Sequence, residues 1–150
     1  IKGNTTDGLG GGLYVNDADP TFNFSLIVNN ASSSGGGCYI RNESYVHLTN
    51  VTIANNDVGL YGDGIYLRDG STVNISSSIL WGTGDNQIYF REDGSEQYLN
   101  IVYSAFKNGI DGIDGIRGSR FFFPRNAKMM MAKSAEFSAI KIARPPRMSR

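Results

Sequence analysis

The chain has 150 residues, room for one domain of ordinary size, and 19 of them are glycine, nearly twice the usual ~7%. Charged residues make up only 19%, while eight Tyr, eight Phe and one Trp are present, a mixture suited to turns and strands more than to helices. The formal charge of zero conceals a split. Residues 1–116 carry five bases (Lys2, Arg41, Arg68, Arg91, Lys107) against thirteen acids, net −8, and residues 117–150 carry nine bases against Glu136, net +8. The lone Cys38 excludes an internal disulfide framework and a multi-cysteine zinc site. No apolar run approaches the ~18 residues of a membrane-spanning helix.

The acidic part repeats. Gly-Gly-Gly-Leu-Tyr-Val at 10–15 returns as Gly-Gly-Gly-Cys-Tyr-Ile at 35–40 and as Gly-Asp-Gly-Ile-Tyr-Leu at 62–67, and in worn form as Asn-Gln-Ile-Tyr-Phe at 86–90. A second phase reads Leu-Ile-Val-Asn-Asn (26–30), Thr-Ile-Ala-Asn-Asn (52–56), Ile-Leu-Trp-Gly (79–82) and Ala-Phe-Lys-Asn-Gly (105–109). Within each unit Cys38 and Ile40, Val46 and Leu48, and Val51 and Ile53 are two-residue steps, the period of strands. One such unit cannot bury its apolar face, whereas stacked units can. The expected fold is therefore all-β, a right-handed parallel β-helix of roughly four coils over 1–116. An immunoglobulin-like sandwich predicts no phase-locked repeat of this length.

The run from Gly-Gly-Gly-x-Tyr through Leu-Thr-Asn-Val-Thr-Ile-x-Asn-Asn to Ser-Ser-Ile-Leu-Trp-Gly (77–82) and Gln-Ile-Tyr (87–89) resembles bacterial right-handed β-helix, pectin-lyase-like proteins. The resemblance implies a secreted or cell-surface setting and leaves the activity open. Its members include adhesin-like surface proteins and polysaccharide lyases, hydrolases and epimerases, and fold alone does not choose among them.

Strand parity turns Tyr39 and Arg41, Tyr66 and Arg68, and Tyr89 and Arg91 outward where Cys38, Ile40, Ile65 and Leu67 point in. Tyr14 with Asn16 opens the same column. Aromatic faces pack on sugar rings and guanidinium groups bind carboxylates in pairs, so Tyr39, Tyr66, Tyr89, Arg41, Arg68 and Arg91 are the candidate ligand-binding residues, for an acidic polysaccharide or surface glycan. The competing reading is structural: tyrosine ladders cover sheet surface, and the arginines pair with Asn42, Asp69, Glu92 or Asp93.

No catalytic residue, metal ligand or cofactor is assigned. Asp63 and Asp69 flank a strand six positions apart, His47 faces outward without a partnered nucleophile, and the Asp111–Ile116 run lacks the calcium-loop spacing. That run reads instead as a loose, glycine-punctuated exit from the last coil. Cys38 aligns with Leu13 and Ile65 as a core position, and Asn29, Asn30, Asn55, Asn56 and Asn108 fall at one turn, where stacked amides satisfy the backbone. Six Asn-x-Ser/Thr sequons follow from composition.

Residues 117–150 are a basic tail, expected to be irregular or short-helical from Asn126 to Ala143 and poorly ordered, with no function assigned. Ile1 aligns with Ile27 and Ile53, in mid-coil, so the rest of a longer chain is expected to stack on the N-terminal edge. The functional expectation is a non-catalytic secreted or cell-surface module, a stalk or adhesin-like glycan- or partner-binding surface in an extracellular setting, with no nucleic-acid partner and no transmembrane segment. The alternative is a fragment of a carbohydrate-active enzyme (polysaccharide lyase, hydrolase or epimerase) acting on acidic polysaccharide.

Overall fold

A computed structural model describes residues 1–115 and the two strand segments 120–122 and 130–131, for which only the backbone is discussed. The first full coil comprises β1 (Leu13–Asn16), β2 (Thr21–Asn23), β3 (Leu26–Val28) and β4 (Ala31–Ser34). The second comprises β5 (Cys38–Arg41), β6 (Tyr45–Thr49), β7 (Thr52–Ala54) and β8 (Asp57–Tyr61), and the third β9 (Ile65–Leu67), β10 (Thr72–Ser76) and β11 (Ile79–Trp81). The fourth holds β12 (Ile88–Phe90), β13 (Tyr98–Val102) and β14 (Ala105–Phe106). After a 3-10 turn at Gly109–Gly112 come β15 (Ile113–Asp114), β16 (Arg120–Phe122) and β17 (Met130–Met131).

These strands form three five-stranded sheets, β1-β5-β9-β12-β15, β16-β13-β10-β6-β2 and β17-β14-β11-β7-β3, with β4-β8 as a lateral pair. Every strand pair is parallel. Each strand therefore meets its counterpart one coil later, as expected of a parallel β-helix with about four coils. Ahead of β1, Lys2, Thr5 and Leu9 bridge to Val28, Ala31 and Ser34, so the opening residues lie on the same stack.

The register turns the sequence repeat into columns. Ile27, Ile53, Leu80 and Phe106 stack on one wall, and Cys38, Ile65, Ile88 and Ile113 on another. Val46, Val73 and Leu99 form a third, and all of these side chains are buried. Cys38 is a core residue, and burial pushes its thiol pKa up to about 12.

Polar columns close the corners. Asn56 Oδ1 accepts from the Asn30 N–H and from Asn30 Nδ2, each at 3.0 Å, while Asn56 Nδ2 donates to the Ile27 carbonyl at 2.9 Å. Asn30 Oδ1 in turn accepts from Asn4 N–H and Nδ2. Serines serve two other corners: Ser71 Oγ accepts from the Ser44 N–H, Ser78 Oγ from Val51 and Ser104 Oγ from Ser78. The asparagine column ends at the third coil, where Thr83 follows Gly82. There the buried Gln87 reaches across, accepting from the Gly82 N–H and donating to the Gly84 carbonyl. Asn29, Asn55 and Asn108 fall at one left-handed turn of the coils, as expected, with φ of 54°, 51° and 63°, while the buried amide column is built by Asn30 and Asn56 and Asn108 donates to Asp85.

The coils approach closely at the glycines. A Cβ on Gly37 would lie 2.5 Å from the Gly64 carbonyl oxygen and 2.8 Å from Ile53 Cγ2. That contact explains why Gly12, Gly37 and Gly64 recur.

A second correction concerns the Asp111–Ile116 run. Its described part is a structural closure: Ile113 is buried and pairs with Ile88, and the Gln87 N–H donates to the Gly112 carbonyl at 2.7 Å. Beyond it, β16 pairs with β13 and β17 with β14, so two sheets continue past residue 116. The expected helix from Asn126 to Ala143 lies outside the described residues apart from the strand at Met130–Met131.

Candidate functional site: a tyrosine–arginine ladder

The register places Tyr14, Tyr39, Tyr66 and Tyr89 side by side on β1, β5, β9 and β12. Their rings face one another at centroid separations of 5.6, 4.7 and 5.2 Å, with Tyr61 from β8 against Tyr89 at 4.4 Å. The first two pairs lie within 9° of parallel, so sheet pairing enforces stacking (offset-stacked and edge-to-face contacts being the geometries aromatic pairs favour). Parity is as expected, but the column is less open than parity alone suggests. Tyr39 is only 3% exposed and Tyr66 4%, because the neighbouring rings and guanidinium groups cover them. Tyr14 at the ladder's end is exposed and Tyr89 is half-buried.

The arginines are bound into the same lattice. Arg41 and Arg68, from successive coils, both reach Asp69 Oδ2, at 3.4 and 2.8 Å, and Arg68 lies 4.0 Å from Asp93 Oδ2. Arg41 Nε also donates to Asn42 Oδ1 at 3.3 Å. Arg68 donates to the Tyr39 phenol oxygen, which, with Asp69, holds its guanidinium firmly protonated although partial burial works the other way. Arg91 plays the same part toward Tyr66, whose phenol pKa is nonetheless raised, chiefly by burial and then by Tyr39. Burial opposes the Asp93 carboxylate, but the backbone N–H groups of Asp69 and Ser95 donate to it and keep its pKa below the usual value. Arg41 and Arg68 side chains remain about 30% exposed, at 31% and 29%.

Beside this row lies an open concavity of about 350 Å³ lined by Asp17, Asn42, Glu43, Asp69 and Ser95. Asp17, Asn42, Glu43 and Asp69 all have positive φ between 49° and 55°. Short polar Asn and Asp side chains tolerate that conformation best. The concavity thus brings three carboxylates close to the guanidinium row, which sequence spacing alone did not reveal.

A second polar cluster surrounds Asp63, which the sequence presents as a turn residue and the structure buries. Its carboxylate accepts the Gly84 N–H, and Lys107 Nζ donates to the carbonyls of Gly82, Thr83 and Gly84 at 3.2, 2.9 and 3.0 Å. Burial raises the Asp63 pKa, against the lowering effect of the Gly84 N–H, and the Asp57 charge raises it further. These contacts staple the 82–87 loop to the stack. His47 is half-exposed beside Tyr45, at 4.9 Å between ring centroids. Among the described residues no three His, Cys, Asp or Glu side chains converge as a metal site, and no helix is long and apolar enough to cross a membrane.

A further column is set by backbone angle rather than by residue type. Phe24, Asn50, Ser77 and Tyr103, at intervals of 26, 27 and 26, occupy the same left-handed corner of successive coils, with φ of 49–54°. All four are exposed.

No curated protein and no solved structure matches the chain. A family description, the right-handed β-helix region, matches residues 1–127. That span takes in the tyrosine–arginine ladder, the asparagine and serine columns and β16. With matched sequence and coil-by-coil parallel pairing in agreement, the chain belongs to the right-handed β-helix family.

Proposed function

We propose that this chain is a non-catalytic β-helix module of a secreted or cell-surface protein, a stiff stalk whose tyrosine–arginine rim grips an acidic glycan. A β-helix region suits a carbohydrate-active or surface module in general. The observation that carries the finer reading is the fixed guanidinium row. Arg41 and Arg68 are anchored by Asp69, spaced by the coil repeat of ~4.8 Å, and still partly exposed. Groups oriented beforehand lose little side-chain entropy when a ligand arrives. A uronate chain running along the axis would meet one guanidinium on each of the second, third and fourth coils and exchange its carboxylates for those of Asp69 and Asp93. Tyr39 and Tyr66 then act by positioning the arginines rather than by offering open ring faces, and Tyr14 and Tyr89 remain reachable.

The test is binding to a soluble polyuronate, followed by affinity electrophoresis at low and moderate salt. Arg68→Ala and Arg91→Ala should each weaken retention several-fold, and added salt should weaken it further, because exposed charge pairs are screened. Retention that ignores both substitutions, or none at low salt, would falsify this reading. The alternative of a carbohydrate-active enzyme fragment draws on Asp63, a carboxyl with a raised pKa. Its position beneath the stapled 82–87 loop favours a structural role. Unsaturated product accumulating from polyuronate, and lost in Asp63→Asn, would reverse that preference.

A further inference from the structure

The lateral pair β4-β8 stops at the second coil although the stack does not. Between β7 and β9 the chain spends ten residues, 55–64, whereas between β11 and β12 it spends six, 82–87, and between β14 and β15 again six, 107–112. The 82–87 link takes a shorter path. Thr83 Oγ1 donates to the Asn56 carbonyl at 3.2 Å, and the Asn86 carbonyl accepts from the Asp63 N–H at 3.1 Å. Between these two contacts the second coil bows out as β8, and among the described residues no hydrogen bond from 82–87 reaches 57–62. The far edge of β4 is taken by bridges from Thr5 and Leu9. The edge of β8 toward the third coil is therefore open, and Gly59, Leu60 and Tyr61 are exposed, Leu60 at 67%.

An open edge presents backbone donors and acceptors at fixed intervals. The Asp57 N–H donates to the Asn30 carbonyl, and the Tyr61 carbonyl accepts from the Gly35 N–H, so both residues turn their backbone toward the first coil. Alternation along the strand turns the backbone groups of Val58 and Leu60 the other way. The Val58 N–H accordingly donates to the carboxylate beside it, Asp57 Oδ1 at 2.9 Å. Bulges and charges are the usual guards of a sheet edge, and β8 has both, a register shift opposite Ser32–Ser34 and Asp57 itself. A carboxylate is a selective guard: it repels an acidic strand, and a cationic one draws it away.

The surrounding charge names the kind of strand. Asp57 and Asp85 are exposed, and both lie near enough to Asp63 to act on it electrostatically. Asp114, also exposed, accepts from Asn86 Nδ2 at 3.2 Å. On the same side Lys107 has its Nζ tied to the carbonyls of Gly82, Thr83 and Gly84. The carboxylates thus outweigh the ammonium group around the open edge. A second copy of the chain is disfavoured, because residues 1–116 are net −8 and its own β8 carries the same Asp57.

We propose that the open edge of β8 is a docking site for an extended, basic peptide strand. The strand adds to the lateral pair through main-chain hydrogen bonds to Val58 and Leu60, while its lysine or arginine side chains draw the Asp57 carboxylate off the Val58 N–H. The site is independent of the glycan reading of the tyrosine–arginine rim.

The full chain is titrated into a fluorescein-labelled, end-blocked peptide of sequence Lys-Val-Thr-Val-Lys, followed by anisotropy at low salt. Two control peptides accompany it: the same sequence N-methylated at both valines, and Glu-Val-Thr-Val-Glu. Saturable binding of the lysine peptide is expected, with each control weaker by roughly tenfold, the scale of two lost strand hydrogen bonds. Leu60→Pro deletes an N–H that faces away from β4, a position where an edge strand tolerates proline. It should abolish binding with the urea midpoint unchanged. Should the midpoint fall, Asp57→Asn decides: it should weaken binding several-fold and reduce its salt dependence. Binding equal for the N-methylated peptide, or unaltered in both variants, overturns the proposal, as does no saturable binding at millimolar protein. A dimer that grows with protein concentration and is lost in Leu60→Pro also overturns it, since a second copy would then hold the edge.

Discussion

Replacing Asn56 by alanine tests how the coils are held. The Asn56 side chain makes three hydrogen bonds, accepting from Asn30 N–H and Nδ2 at 3.0 Å each and donating to the Ile27 carbonyl at 2.9 Å. It is completely buried, so water does not replace it at once. Alanine removes all three bonds and deprives the buried Asn30 N–H and Ile27 carbonyl of these partners. At about 1–3 kcal/mol for each buried group left unpaired, the loss is about 2–6 kcal/mol. Against a typical total of about 5–15 kcal/mol, that is a large share. Urea unfolding followed by Trp81 emission measures it, with an unchanged denaturant slope as the condition for reading it as stability. Asn29→Gly, at an exposed left-handed position one residue before the column, is the control and should change stability by no more than about 0.5 kcal/mol. A loss below about 1 kcal/mol for Asn56→Ala would mean that the amide column is incidental.

Two further outcomes follow from the packing. Gly37→Ala should cost more than about 3 kcal/mol or abolish folding, since its methyl meets a backbone carbonyl at 2.5 Å, whereas Gly59→Ala, with nothing nearer than 3.8 Å, should be tolerated; soluble yield and urea midpoints distinguish them. Cys38, with its thiol pKa raised from 9.0 to about 12, should resist a thiol reagent at pH 8 until the chain unfolds. The unfolded thiol ionises first as pH rises, so the unfolded state binds fewer protons between those values. Stability should then fall from about pH 9 toward pH 12, and Cys38→Ala should flatten part of that decline.

The coil architecture was legible because turn chemistry and strand alternation repeat in phase. The Gly-x-Tyr segments at 37–39 and 64–66 sit in register 27 residues apart, as the sequence shift requires. The ladder was legible in direction but not in exposure. Parity says which face Tyr39 takes, whereas its burial depends on rings one coil above and below and on a guanidinium from the next coil. Gln87 stands out in the Gln-Ile-Tyr run, but its role does not, because it closes the 82–84 backbone from outside the corner that Asn30 and Asn56 occupy. The closing turn was misread because Asp and Gly suggest a loose loop, while the edge of β12 offered Ile113 a place to pair. Phe24 and Tyr103 were passed over for a simpler reason. Alignment by residue type hides a corner whose shared property is its backbone angle.

The constant register also governs how this molecule can change in length. Ile40 and Leu67 are partners one coil apart. Excising residues 41–67 would join Ile40 to Arg68, seat an isoleucine where Leu67 had been, and leave β1 beneath a shortened but continuous stack. Removing half that number would rotate every later strand onto the wrong wall and turn core side chains toward water. Length in this fold is therefore quantised, so that duplications and deletions of whole turns are the neutral currency of its variation. Excising 41–67 also takes away Arg41 from the rim and Asn50 from the left-handed corner, so that reach and multivalency change together.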